Sequence, residues 1–204
     1  MWTKVLRINR AIALRLAAAV ALGLLTAALW QGIGFARLCA RVRGDTLRLH
    51  VLAASDSAAD QALKLQVRDA VLEAAAPLLA DSTDKQQALD AAADALPALE
   101  AAAAETVRAA GQSCPVQAEL VRRYFPTTDY ANGLTLPAGW YDAVQVKIGA
   151  ASGHNWFCVL YPSLCEAAAG GGYARPEEND LVVGDYVLRF AALEWWQRIT
   201  GQAE

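Results

Sequence analysis

The sequence predicts an α+β protein: an N-terminal hydrophobic leader or anchor helix, then a domain with helices packed on one face of a mostly antiparallel sheet. Three observations carry this prediction. An uncharged apolar run lies near the N-terminus. The spacing of apolar residues changes near residue 55 from every second residue to the three- and four-residue steps of a helix, and the two-residue spacing returns after residue 115. One strand, then helices, then three strands is an order typical of helices segregated to one face of a sheet.

The apolar run lies between Arg15 and Arg37 and contains no charge. Its length suits either a secretory signal peptide, with cleavage after Ala36, or a helix that spans a membrane. Four basic residues and no acidic residue precede it: Lys4, Arg7, Arg10 and Arg15. This bias predicts a cytoplasmic N-terminus and export of the remainder. Residues 1–36 are therefore predicted to be a signal peptide or a membrane anchor, and the choice stays open.

The exported remainder is acidic. The chain has 18 basic and 21 acidic residues, so without the four N-terminal bases 14 basic residues face 21 acidic ones, a charge of −7. Phosphate binding needs a basic face, so nucleic acid is excluded as a partner.

The first strand, in "DTLRLHVLAASD", alternates leucine and valine with Arg48 and His50. This pattern predicts a half-buried strand on which His50 faces solvent. Ser57 followed by Asp60 indicates a helix start, and the helix is expected to end near Leu79. Thr83 indicates the start of a second helix, and Pro97 is expected to begin a third one because proline suits a first helical turn.

Three further strands are predicted in "VQAELVRRY", "WYDAVQVKIGA" and "NWFCVLYP", which completes an exported domain over residues 37–166. The glycine-rich residues 167–180 indicate a linker. Residues 181–204 form a C-terminal amphipathic extension, expected to be a short strand followed by a helix. We expect Trp195 and Trp196 of this extension to cover the open face of the domain.

The stretch "SGHNWFCVLYPSLC", residues 152–165, combines histidine and cysteine as a catalytic or metal site would. On a strand, however, His154 and Cys158 stand about 13 Å apart, too far for a hydrogen bond. The cysteine spacing also matches no common zinc site, so no catalytic, metal or cofactor residue is predicted. In an oxidising compartment Cys158 and Cys165 are instead expected to form a disulfide, which constrains the unfolded chain by roughly 2.5 kcal/mol and fixes the shape of the loop.

Three blocks of the sequence resemble the stage II sporulation protein R family. They are "LRLHVLAASDSAADQALKLQVRDAVL" at 47–72, "FPTTDYANGLTLPAGWYDAVQVKIG" at 125–149 and "GHNWFCVLYPSLC" at 153–165. The blocks occur in the family's order. Ala54 departs from it, since the family usually has asparagine there.

The resemblance implies a non-enzymatic signalling protein that is exported from the forespore into the intermembrane space. There it would activate a membrane-embedded aspartic protease of the mother cell, which matures the precursor of sigma factor E. We expect the protease to contact a braced loop whose members are His154, Asn155, Trp156, Phe157, Tyr161 and Pro162. Three alternatives stay open: Trp156 and Phe157 are core and edge residues of the sheet, the chain is an exported thiol-dependent hydrolase, or it is a cell-wall-binding module.

Overall fold

The computed structural model of the protein describes residues 10–130, 133–162, 172–184 and 186–202. The chain divides into two compact units, residues 1–38 and residues 39–204. The described part of the first unit belongs to helix α1 (Arg10–Gly44), whose large apolar side chains from Ile12 to Ile33 are exposed. By length and composition this helix is able to cross a membrane, a test that a signal sequence also passes. The choice between anchor and cleaved signal therefore stays open.

A four-stranded sheet forms the centre of the second unit. Its strands are β1 (Leu47–Leu52), β2 (Val116–Phe125), β5 (Gly139–Ile148) and β6 (Asn155–Tyr161), in the order β2-β5-β1-β6. β1 and β5 are parallel, whereas β1 with β6 and β2 with β5 are antiparallel. The prediction of an α+β fold with a mostly antiparallel sheet is confirmed. The hairpin of β3 (Thr128–Asp129) and β4 (Thr135–Leu136) lies in a segment predicted only as turns.

Helices α2 (Ala58–Leu79) and α3 (Lys85–Ala109) pack on one face of this sheet. α2 starts and ends as predicted, and the Ser57 side chain accepts a hydrogen bond from the backbone of Asp60. The expected third helix is wrong, because Pro97 lies inside α3. Pro97 is exposed, so water can solvate the carbonyl that its ring leaves without a donor. The buried stripe of α3 continues on both sides of it: Ala88, Ala92, Ala95, Leu99, Ala103 and Val107.

β1 is buried along its whole length, so the predicted exposure of His50 is wrong. The strand lies in the interior of the sheet, between β5 and β6, and its leucine side faces the helices. The opposite side, with Arg48 and His50, packs against aromatic rings from β2 and β6. A two-residue period in the sequence shows that the two faces of a strand carry different kinds of side chain. It does not show that the polar face is exposed to water.

The C-terminal part contains two helices, α4 (Pro176–Val183) and α5 (Val187–Ile199). α4 begins within the predicted linker, and it occupies the place of the strand expected near residue 181. The prediction of a strand there is therefore wrong. The prediction that Trp195 and Trp196 cover the domain is also wrong, because they are 62% and 55% exposed.

Candidate functional site

The strand-to-helix corner after β1 and the loop before β6 hold each other at the surface. The backbone N–H of His154 donates to the carboxylate of Asp56 at 2.6 Å, and the His154 ring contacts the same oxygen at 2.5 Å. These hydrogen bonds from His154 are the main cause that lowers the pKa of Asp56. Lys64 on α2 donates to the backbone oxygen of His154 at 3.1 Å. Asp56 therefore contacts His154 rather than serving only as charge at the helix start.

The loop reaches this corner because residue 153 is a glycine. A Cβ atom on Gly153 would lie 2.2 Å from the backbone oxygen of Ser55, a separation that no side chain tolerates. The Gly153 N–H donates to the carbonyl of Ala53 at 3.0 Å, and the Ser152 hydroxyl donates to that of Ala54. Ala54 acts here through its backbone, so its departure from the family pattern leaves these contacts intact.

Trp156 and Phe157 lie on opposite faces of edge strand β6, and both are half-buried. Trp156 packs against the core on the helix side and has the Arg68 guanidinium 4.8 Å from its ring centroid. Phe157 packs on the other face, with its ring centroid 4.9 Å from that of His50. Each ring therefore combines a packing role with a partly exposed surface.

The remaining members of the expected contact surface lie at the far end of β6. Tyr161 is half-buried and Pro162 is buried, and Tyr161 lies six positions after Asn155 along the extended strand, about 20 Å away. The six residues therefore do not form one patch: His154–Phe157 lie at one end and Tyr161–Pro162 at the other. Their role in partner binding stays a prediction.

The cysteine and histidine of this stretch are not placed for nucleophilic chemistry. The Cys158 side chain is buried on the helix side and is disulfide-bonded, whereas the His154 side chain is 81% exposed. Cys165 lies outside the described residues, so its pairing with Cys158 stays a prediction. Among the residues that the structure describes, no group of three or more histidine, cysteine or acidic side chains is arranged to hold a metal ion.

The second face of the sheet contains a feature that the sequence analysis missed. Arg48 is fully buried, and four aromatic rings surround its guanidinium; we call this group the Arg48 cage. The guanidinium carbon lies 4.2, 5.0, 5.6 and 6.0 Å from the ring centroids of Phe125, Tyr141, Phe157 and Tyr130, respectively. Burial raises the pKa of Tyr130, and the neighbouring Arg48 charge opposes that rise.

The charge of Arg48 is only partly compensated. Its Nη2 donates to the hydroxyls of Tyr130 at 2.7 Å and Thr128 at 3.2 Å. Nε and Nη1 have no hydrogen-bond partner, and no acid of the described residues forms an ion pair with this side chain. Burying a charge costs several kcal/mol, of which each cation–π contact returns about 0.5–2 kcal/mol. The Arg48 cage therefore holds its cation with aromatic rings and hydroxyls, and the described residues supply no carboxylate to it.

His50 lies beside the cage, two residues along the same strand. In the register of the sheet it stands between Gln145 on β5 and Phe157 on β6. The Gln145 side-chain amide lies 2.8 Å from Nδ1 of His50. Burial first, and then the positive charge of Arg123, lowers the pKa of His50 to about 4. The imidazole is therefore neutral at pH 7, and Arg48 remains the charged member of the pair.

The Arg48 cage and the strand-to-helix corner at Asp56, which we call the Asp56 corner, each bring together residues from separate sequence blocks. Arg48 belongs to the first block, Phe125, Tyr130 and Tyr141 to the second, and Phe157 to the third. The available signal was the combination of an arginine inside a strand with tyrosines and phenylalanines in distant strands and turn-rich segments. No periodicity could show that these residues meet, because the sheet pairing brings them together.

Fold and site define an α+β domain that follows an apolar helix of membrane-spanning length and holds a caged arginine on its second sheet face. Comparison with known proteins gives the family. The family model for stage II sporulation protein R matches residues 43–170. Stage II sporulation protein R of Bacillus subtilis (strain 168) is 37% identical over 136 residues. That alignment covers 67% of this chain and 60% of the relative. No solved structure matches the chain.

The chain therefore belongs to the stage II sporulation protein R family, as the sequence blocks predicted, and this membership supports a role in sporulation.

Proposed function

We propose that the protein is an exported sporulation signal that activates the membrane-embedded aspartic protease of the mother cell, which matures the precursor of sigma factor E. The family match over residues 43–170 carries this proposal. The apolar helix α1 supports delivery to or across a membrane, and the acidic character of the remaining chain suits an exported domain. The protein would act from the intermembrane space, either anchored by α1 or released by cleavage.

The proposed mechanism is a shift of population. The exported domain binds the outer face of the protease more tightly in the active arrangement than in the resting one, because only differential affinity can move such an equilibrium. The surface nearest His154–Phe157 supplies the contacts in this proposal, with the Asp56 corner holding it in place. A role as activator requires no reacting group in this chain.

Co-expression tests the proposal. This chain, the protease and the sigma factor precursor are produced together in a bacterium that does not form spores, and precursor shortening is followed by immunoblot. We expect processing only when all three are present, and none when residues 1–36 are deleted so that the domain stays in the cytoplasm. An unprocessed precursor despite exported, folded protein would contradict the proposal.

The variant Trp156→Ala tests the contact surface within the same assay. We expect processing to fall several-fold while the variant remains folded, because a partly exposed tryptophan is a common binding hot spot. Trp195→Ala on α5 is the matched control, since it removes an exposed tryptophan from another element and should leave processing unchanged. Full processing with Trp156→Ala would assign this ring to packing alone.

A further inference from the structure

The Arg48 cage adjoins a cleft of about 630 Å³ on the surface of the domain. The walls of this cleft, which we call the Trp156 cleft, include Thr128 and Tyr130 from the hairpin segment and Trp156 and Phe157 from β6. Thr128 and Tyr130 are the residues whose hydroxyls accept the hydrogen bonds of Arg48 Nη2. A single layer of side chains therefore separates a fully buried cation from the cleft.

Among the described residues at the cleft, Arg48 is the cation without an acid partner; the carboxylate of Asp129 also lines the cleft and accepts a hydrogen bond from the Thr135 hydroxyl at 2.7 Å. Arg68 also lines it, but its guanidinium pairs with Asp69 at 2.7 Å and stacks on Trp156. Within the part of the chain that the structure describes, the acceptors of Arg48 are neutral hydroxyls and two of its nitrogens make no hydrogen bond. Buried polar groups nearly always have a hydrogen-bond partner, so a buried arginine with two unpartnered nitrogens indicates a missing acceptor.

We propose that Arg48 is an anion-binding residue that takes a carboxylate entering through the Trp156 cleft. This carboxylate accepts from Nη2, in place of the hydroxyls of Thr128 and Tyr130, and also from Nε, which has no acceptor among the described residues. The exchange substitutes a charged acceptor for two neutral ones. Guanidinium and carboxylate are both planar and form two parallel hydrogen bonds, which are shorter and stronger than bonds to a hydroxyl.

Charge and shape favour a carboxylate over a phosphate. The cage supplies one positive charge, that of Arg48, and the neighbouring His50 is neutral at pH 7 and adds none. A carboxylate supplies one negative charge. A phosphate dianion would leave a buried negative charge in a site otherwise walled by rings. The ligand class is thus a carboxylic acid, either a small molecule or an acidic side chain of a protein. The inference does not depend on the proposed protease partner.

Nuclear magnetic resonance of the full chain in detergent micelles tests this inference. The Nε–H signal of Arg48 is assigned by its disappearance in Arg48→Met, and the protein is titrated with sodium acetate against sodium chloride at equal ionic strength. We expect a saturable shift with acetate and none with chloride or inorganic phosphate. In Tyr130→Phe, which keeps the ring and removes the competing hydroxyl, half-saturation should occur at several-fold lower acetate.

A blocked glutamate, N-acetylglutamate methylamide, distinguishes the two sources. Tighter binding than acetate supports an acidic side chain of a protein, and equal or weaker binding supports a small carboxylic acid. Arg68→Gln is the matched control, since it removes the other guanidinium of the cleft and should leave the Arg48 titration in place. The inference is overturned if the signal fails to saturate with any carboxylate, if phosphate shifts it equally, or if Arg68→Gln abolishes the response.

Discussion

At the scale of single residues, Arg48 shows how the second face of the sheet combines charge with burial. Met in its place would fill a similar volume, keep contact with the rings and remove the cost of desolvating a charge. We therefore expect Arg48→Met to leave the free energy of unfolding unchanged or to raise it by up to about 3 kcal/mol. Denaturant unfolding in detergent measures this. A loss of more than about 2 kcal/mol would instead assign Arg48 a mainly structural role.

His50 makes the stability of the same face depend on pH. Its pKa is lowered to about 4 in the folded protein, whereas an unfolded chain has the ordinary value near 6.5. Between these values the unfolded state binds more protons, so stability falls as pH decreases from about 6.5 to about 4, by at most about 3 kcal/mol. Unfolding measured across this range should show the slope in the native protein and a smaller slope in His50→Gln. An equal slope in the variant would assign the effect to other groups.

At the scale of elements, the junction between the Asp56 corner and the loop before β6 depends on the absence of one side chain. Gly153→Ala places a Cβ 2.2 Å from a backbone oxygen, so corner and loop must separate and their hydrogen bonds weaken. We expect a loss of about 1–3 kcal/mol in the free energy of unfolding. Gly44→Ala is the matched control, because a Cβ there meets nothing within 4 Å, and it should not destabilise the protein. Equal stability of the two variants would contradict the tight approach at Gly153.

Helix α3 gives a second prediction at this scale. Pro97→Ala restores a donor to the ladder of an uninterrupted helix at an exposed position. The gain in helical hydrogen bonding, reduced by the greater entropy of the unfolded chain, should stabilise the protein by about 1–2 kcal/mol. Thermal unfolding followed by circular dichroism measures the change. Lower stability would show that proline is needed for the curvature of α3.

The sequence predicts elements with strong local signals and fails where tertiary contacts decide. Ser57 and the stripe after it give the bounds of α2, because capping and helical spacing are local properties. The burial of Arg48 depends on rings more than 70 residues away, which come close because β1 pairs with β5 and β6 and β5 pairs with β2. The prediction of a helix start at Pro97 is wrong for a related reason, because the continuous buried stripe of α3 outweighs the local cost of one proline inside the helix.

At the scale of the whole molecule, the two flanks of the apolar helix carry similar numbers of basic residues. The N-terminal flank has Lys4, Arg7, Arg10 and Arg15, and the other flank has Arg37, Arg41 and Arg43. In the second unit Arg41 lies within 3.8 Å of the carboxylates of Glu177 and Glu178, and Arg43 donates to the backbone of Ala138. Folding thus uses basic side chains of the second flank, but a cell sets the orientation of a helix by counting arginine and lysine near its ends.

The predicted orientation therefore rests on a narrow excess of N-terminal charge. Replacing the four N-terminal bases with glutamine leaves only the flank after the helix basic, so part of the molecules should insert with the domain in the cytoplasm. An alkaline phosphatase fused to the C-terminus reports this, because the enzyme is active only after export. We expect its activity to fall several-fold in the four-residue variant. The activity should remain high when Arg41 and Arg43 are replaced instead, because that change increases the excess of basic residues on the N-terminal flank. Unchanged activity in the four-residue variant would show that charge does not set the orientation of this chain.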